Sequence, residues 1–212
     1  MRLFDLVFIG CFLFVVIYSL RIVWSLIRRR SRIALQQIRR LAIFVIAYLI
    51  VDISVALASP QKVFRVGDTR CFDDWCISVK EVKTTEVIGL NVHPARGRFL
   101  LVTLRVSSHA RRVRQSAPDA LVYLVDASGN RFDLADSAQE AFERLNRPQA
   151  AITAMLDPQT SFLTVRVFDV PSDLQEIGLA VRHGAWPGWF VIGGDGSFFH
   201  KTPIFLIPLH NG

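Results

Sequence analysis

Two thiols five positions apart, Cys71 and Cys76 in C-F-D-D-W-C, are the residues of this sequence best suited to chemistry. In an oxidising compartment such a pair closes into a disulfide. The loop is short, so the loop-length rule gives a stabilisation of only about 2 kcal/mol. A redox pair or a metal site are the competing readings. Familiar redox pairs are spaced C-x-x-C, and zinc needs further ligands that no nearby His or Cys supplies. A structural disulfide is therefore expected, and Cys11, inside an apolar run, reads as an apolar filler.

Other reactive types are present without the spacing their chemistry needs. Asp73-Asp74 lacks the D-x-D-x-D-G pattern of a calcium loop and reads as a solvated turn held by the disulfide. The five His (His93, His109, His183, His200, His210) show no H-x-H or H-E-x-x-H spacing, so none is assigned as a ligand. Gly193-Gly194-Asp195-Gly196-Ser197 fits neither a phosphate loop nor a nucleophile elbow, and reads as a hairpin turn between strands. Arg111, Arg112 and Arg114 form a basic loop, either a contact for an anionic lipid, polysaccharide or acidic partner, or a solvated loop. Trp186 and Trp189 in A-W-P-G-W-F are either an exposed platform or, the preferred reading, the closure of a core. These five residues are the candidate interaction surface. No catalytic residue, metal ligand or cofactor is expected.

The elements that must position these residues are of two kinds. Residues 1–60 hold eight Arg against Asp5 and Asp52, while residues 61–212 hold 17 Lys+Arg against 16 Asp+Glu. The basic character belongs to the N-terminal part, so it is no nucleic-acid footprint. Two apolar runs, at about 4–27 and 41–58, predict transmembrane helices, with Trp24 and Tyr18 suited to a headgroup belt and Arg21 able to snorkel. Asp52 is expected to reach water or pair with Arg2. Residues 28–40, R-R-R-S-R-I-A-L-Q-Q-I-R-R, carry six Arg and no acid, and read as a cytoplasmic loop touching anionic lipid. Both termini then face outward. The alternative is a signal-peptide-like segment cleaved after Ala58 at Ala56-Leu57-Ala58, which is disfavoured by the span that precedes it.

Beyond Pro60 lie short runs rich in β-branched and aromatic residues: 62–66, 75–82, 98–108, 120–127, 161–170, 176–182, 189–194 and 197–209. Phe162, Thr164, Arg166 and Phe168 alternate with Leu163, Val165 and Val167, as a half-buried strand requires. Ser128-Gly129-Asn130 supplies a hairpin turn. Ser137-Ala138-Gln139-Glu140 fits a capping box, predicting a helix over 137–146 that covers one end of the sheets through Phe142 and Leu145. The fold class expected is all-β: an antiparallel β-sandwich over 61–212, with one inserted helix, after a two-helix membrane anchor at 1–60.

The stretches VGDTRCFDDWCISVKEV, GRFLLVTLRVSS, LVDASGNRFDL and LDPQTSFLTVRVFDVP, covering most of 62–209, resemble a widespread bacterial extracytoplasmic domain. That domain has the immunoglobulin-like sandwich shared with telokin-like and mycobacterial immunoprotective extracellular proteins. Ser107-Ser108-His109 stands where the family usually has Asn-x-Ser, and the two-helix anchor departs from its lipoprotein or single-span habit. The resemblance implies the fold and an extracytoplasmic setting; it implies no catalytic residues.

The function expected is therefore a membrane-anchored envelope protein whose sandwich binds another protein or a surface component, with the lipid bilayer and an envelope or membrane protein as partners and no nucleic acid. Two alternatives come from other classes. One is a hydrolase or redox enzyme with a site assembled from distant loops. The other is an accessory or sensor subunit, which Asp52 and Arg21 on one side of the helix pair would support.

Overall fold

The computed structural model describes residues 3–72, 74–89, 92–183, 190–197 and 199–209, with side chains from Leu6 onward. The chain divides into two compact units: Met1–Gln61 with Ala185–Lys201, and Lys62–Gly184 with Thr202–Gly212.

In the first unit, α1 (Leu3–Ile27) and α2 (Ser31–Ala58) are both long and apolar enough to cross a membrane. At 1.5 Å per residue they span about 37 and 42 Å, more than the roughly 30 Å of a hydrocarbon core. The expected loop at 28–40 is corrected: α2 begins at Ser31, so most of the Arg-rich stretch is helical. Arg is a good helix former, and its charge does not by itself break a helix. The break needs only three residues. Arg30 N–H donates to the Ser25 carbonyl and Arg29 N–H to that of Leu26, both at 2.9 Å, with Arg29 at φ +55°. This is the Schellman closure, with Arg in the left-handed position that Gly normally takes. The Arg28 guanidinium lies 4.6 Å over the Trp24 ring, and Ser25 Oγ hydrogen-bonds Gln37 Oε1 at 3.1 Å beside the turn.

Asp52 departs from expectation. It is fully buried, and neither carboxylate oxygen has a hydrogen-bond partner among the described residues. Arg2, its suggested partner, lies outside them. Arg21 is exposed, so the two charges do not share one open face. The Gly193–Ser197 hairpin is also corrected. Residues 190–197 form successive tight turns, with Gly194 N–H donating to Val191 O and Ser197 N–H to Gly194 O. This segment packs on α2: Tyr48 Oη donates to the Phe190 carbonyl at 2.5 Å, and Gly193, at φ +68°, lies beside Val55.

The second unit is a β-sandwich of nine strands: β1 (Val63–Arg65), β2 (Thr69–Phe72), β3 (Trp75–Thr85), β4 (Gly97–Ser108), β5 (Leu121–Val125), β6 (Arg131–Phe132), β7 (Ser161–Pro171), β8 (Glu176–Arg182) and β9 (Ile204–Pro208). One sheet runs β1-β9-β8-β5-β6 and the other β2-β3-β4-β7. Among the described residues all pairings are antiparallel except β1 with β9, so the sheets are not purely antiparallel, and with its helices the chain is not all-β. Alternate residues from both sheets meet in one core, including Trp75, Ile77, Leu100, Val102, Leu104, Leu124, Phe168, Leu179, Phe205 and Ile207. The expected strand over 197–209 is reduced to β9.

α3 (Asp136–Leu145) is where the sequence placed it, but not for the reason given. Its N-cap is Ala135, with no side-chain cap, so Ser137 lies inside the helix and the capping box is not made. What holds α3 is the exposed edge of β7. Gln139 Oε1 accepts from Val167 N–H at 2.9 Å while its Nε2 donates to the Val165 carbonyl, and Ala135 N–H donates to the Val167 carbonyl. One glutamine thus completes the ladder of an edge strand that would otherwise offer itself to another chain. Ala138 and Ala141 pack with Phe99, Ile88 and Val167 in a second small core, with Phe142 against it. Leu145 stays exposed.

Candidate functional site

The outer face of the four-stranded sheet has two halves. Along β4 the even-numbered residues Leu100 to Val106 enter the core, and the odd-numbered ones face outward. At one end Phe99, with Val167 of β7, packs in the small core under α3. At the other end the outward residues, the exposed Leu163 apart, are polar or disulfide-bonded, and two registered rows cross the sheet: Thr69, Ser78, Arg105 and Leu163 in one, Cys71, Cys76, Ser107 and Ser161 in the next. Of these rows Thr69, Ser78, Arg105, Cys71, Ser107 and Ser161 line an open cleft of about 600 Å³, completed by Lys80 and by Ser108, His109, Gln159 and Thr160 at the strand ends.

Each feature of the cleft has a local cause. The sulphur bridge between Cys71 and Cys76 joins cross-strand partners, closing the β2–β3 hairpin as expected. The tip is further tied by Asp74, whose carbonyl accepts from His109 N–H at 2.7 Å; Asp73 lies outside the described residues. The register of β3 on β4 slips between Val79 and Glu81, making Lys80 the extra residue of a β-bulge. Bulges re-aim side chains, and this one directs Lys80 into the cleft. Gln159 sits at φ +58° in the turn before β7.

The electrostatics are one-sided. Among the described residues no carboxylate lines the cleft. Glu81, next to Lys80, is engaged by Lys83 at 3.0 Å. Lys80 and the His109 ring have no hydrogen-bond or ion-pair partner among the described residues. Arg105 bonds only the neutral Ser161 hydroxyl, through Nε at 3.2 Å and Nη2 at 3.0 Å. That hydroxyl fixes the plane of the guanidinium without cancelling its charge. Such a surface can hold an anion; it contains no group set to attack one.

A second constellation lies at the tip of the hairpin. His183 Nδ1–H donates to Asp119 Oδ1 at 2.6 Å, and the imidazole packs edge-on to Phe72 at 5.2 Å and against Trp75 at 5.5 Å. The buried Arg70 lies 4.3 Å over the other contact of this group, the Phe72 ring, and donates to the Val181 carbonyl. A carboxylate orienting an imidazole is part of the equipment of a general base. Among the described residues no hydroxyl or thiol hydrogen-bonds the ring's other nitrogen, so the pair works here as packing for the hairpin.

Of the residues read from the sequence as an interaction surface, Arg111, Arg112 and Arg114 are exposed, but Arg114 is engaged by Asp157 at 2.8 Å. Trp186 and Trp189 lie outside the described residues, as does His210. His93 is exposed, and His200 Nδ1 bonds the Lys201 carbonyl. Among the described residues no group of three or more His, Cys, Asp or Glu is placed to hold a metal. Two groups elsewhere have displaced titrations. Asp126 is held below the usual carboxylate range, first by the Asn130 side-chain amide and then by backbone N–H groups of Asn130, Ser128 and Gly129. Burial lowers the Arg166 guanidinium, and Glu143 partly offsets this.

No protein-family model matches the chain, and no curated protein matches it. Among solved structures it is similar to a conserved hypothetical protein from Bacillus anthracis, at 17% identity and TM-score 0.46 over 56% of this chain and 89% of that one. It is also similar to the secreted protein MPT63 from Mycobacterium tuberculosis, at 10% identity and TM-score 0.41 over 72% and 100% of the two chains. A third similar structure is an uncharacterized β-sandwich protein from Clostridium difficile 630, at 9% identity and TM-score 0.40 over 70% and 95%.

Proposed function

We propose that this chain is a membrane-anchored binding module: two spans retained in the membrane, the Arg-rich turn on the cytoplasmic side, and an immunoglobulin-like sandwich outside that engages an envelope component. The observation that carries the reading is the open half of the outer sheet face, where Lys80 and Arg105 stand over a floor rich in hydroxyls with no opposing carboxylate among the described residues. A sheet face that served only as a solvated surface would gain by pairing those cations with acids, as Glu81 and Lys83 do one step away.

The setting is supported by independent features. Six Arg at 28–40 without an acid favour retention of the turn in the cytoplasm, which sends residues 59 onward across the membrane. The Cys71–Cys76 bridge suits an oxidising compartment. The immunoglobulin-like description is supported by strand order: β3-β4-β7 faces β9-β8-β5-β6, and β1 pairs in parallel with β9. The corresponding immunoglobulin sheets run A-B-E and G-F-C-C′.

A photo-activatable residue at Leu163, 60% exposed and in register with Arg105, tests the reading in intact cells. An adduct from Leu163, with none from the equally open Leu121 on the other sheet, is the expected result. Equal adducts from both positions, or none from either, contradict it.

A further inference from the structure

We infer that the cleft on β2, β3, β4 and β7 is a receptor site for an anionic saccharide, a polyhydroxyl chain bearing carboxylate or phosphate groups; this rests on the binding-module reading and names its ligand. The lining divides into two chemistries. Lys80 and Arg105 supply two positive charges, and Arg105 is held in place by Ser161, so little side-chain freedom is lost when its remaining N–H groups meet an anion. Around them Thr69, Ser107 and Gln159 offer neutral donors and acceptors, and Thr160 Oγ1, whose proton goes to the Asp157 carbonyl, can still accept. Sugar hydroxyls need that kind of partner, each both giving and accepting a hydrogen bond.

Shape separates a saccharide from an acidic peptide. At about 600 Å³ the cleft is open to solvent and large enough for a short oligomer. An extended peptide would instead seek an unpaired strand edge or apolar slots for alternate side chains. The β7 edge is already occupied by Gln139 and Ala135, and Gln149 Oε1 takes the Val165 N–H. The cleft floor itself is hydroxyl and charge rather than slot. The bulge aims Lys80 at the cleft and Ser161 holds Arg105, so one of the two cations is oriented before any ligand arrives, a preorganisation that a weakly hydrophobic ligand requires.

The test uses the full-length chain in nanodiscs of zwitterionic lipid, so that the anchor adds no anionic surface. Calorimetric titration is run with oligogalacturonate, a phosphorylated oligomannose, neutral dextran oligomers, inorganic phosphate and poly-glutamate. Oligogalacturonate or the phosphorylated sugar binds, and dextran of equal length binds at least about tenfold more weakly. Lys80→Ala and Arg105→Gln each reduce affinity about tenfold. The slope of log affinity against log salt falls by about one per cation removed. The two anionic sugars distinguish a carboxylate source from a phosphate source, and tighter binding of either supports the inference. Binding of inorganic phosphate as tight as the sugar, or of poly-glutamate as tight and equally sensitive to Lys80→Ala, overturns the saccharide assignment while leaving the cleft a binding site. Sugar affinity unchanged in both variants overturns the location. No binding by any probe overturns the inference, and the Leu163 adduct then decides separately whether the module reading also fails.

Discussion

The two halves of the outer face of β2-β3-β4-β7 follow the same alternation and have opposite fates. At the Phe99 end the outward residues are apolar, and the chain inserts α3 to cover them. At the Ser107 end the outward residues are mostly hydroxyl or cationic, with Leu163 exposed beside them, and the chain ties the hairpin with a disulfide and a bulge but covers nothing. The lesson is that covering is a response to apolar surface, so an uncovered half that is unbalanced in charge is where the proposed binding site must be sought. In the covered half, the side-chain hydrogen bonds serve the fold. In the open half they orient Arg105 and leave its charge available.

Substitutions should separate the halves by the size of their effect on stability. Phe99→Ala empties the small core under α3 and should cost about 3–5 kcal/mol, seen as a fall in unfolding midpoint; a loss under 1 kcal/mol would mean that α3 merely rests on the sheet. Gln139→Ala leaves the Val167 N–H and Val165 carbonyl without their side-chain partner and should cost about 1–3 kcal/mol, with faster amide exchange at Val167. Cys71→Ser with Cys76→Ser removes the bridge from the open half and should cost about 2 kcal/mol under oxidising conditions and nothing under reduction. Lys80→Ala and Arg105→Gln should change stability by less than about 0.5 kcal/mol while abolishing the Leu163 adduct.

The smallest effect lies in the other sheet. Asp126 has a lowered folded pKa, so its contribution is present above the ordinary carboxylate value of about 4 and is lost as pH falls through the folded value. Asp126→Asn should therefore lower stability slightly near neutrality and flatten the acid side of the pH–stability profile. A profile unchanged below pH 4 would show that the Asn130 amide and the turn do not depend on the charge.

Much of this architecture was legible because it is local. Periodicity marked β4 and β7, D-A-S-G-N marked the turn in which Asp126 Oδ1 accepts from Ser128 and Asn130 with Gly129 at φ +85°, and two apolar runs marked the helices. What escaped depends on partners distant in sequence. The start of α2 was hidden because arginines were weighed by charge and not by helix propensity. Residues 190–197 have the composition of a strand, yet settle as turns on Tyr48 and Val55 of the helix unit. Gln139 carried no signal, since its value lies in a strand edge about 26 positions away. The cleft was least visible of all. Its rows join Thr69 to Ser78, Arg105 and Leu163, and no spacing in the chain announces that register. A slip in the alternation at Val79–Lys80–Glu81 was the one available hint.

The most direct test sets the two halves against each other in one assay. Full-length wild type, the Lys80→Ala/Arg105→Gln double variant and Gln139→Ala are compared for unfolding midpoint and for the yield of the Leu163 adduct in cells. The double variant should keep its midpoint and lose the adduct, whereas Gln139→Ala should lose midpoint and keep the adduct at temperatures where it is folded. Adduct yield that simply tracks the midpoint across all three chains would contradict the claim that the open half of the sheet is a binding surface.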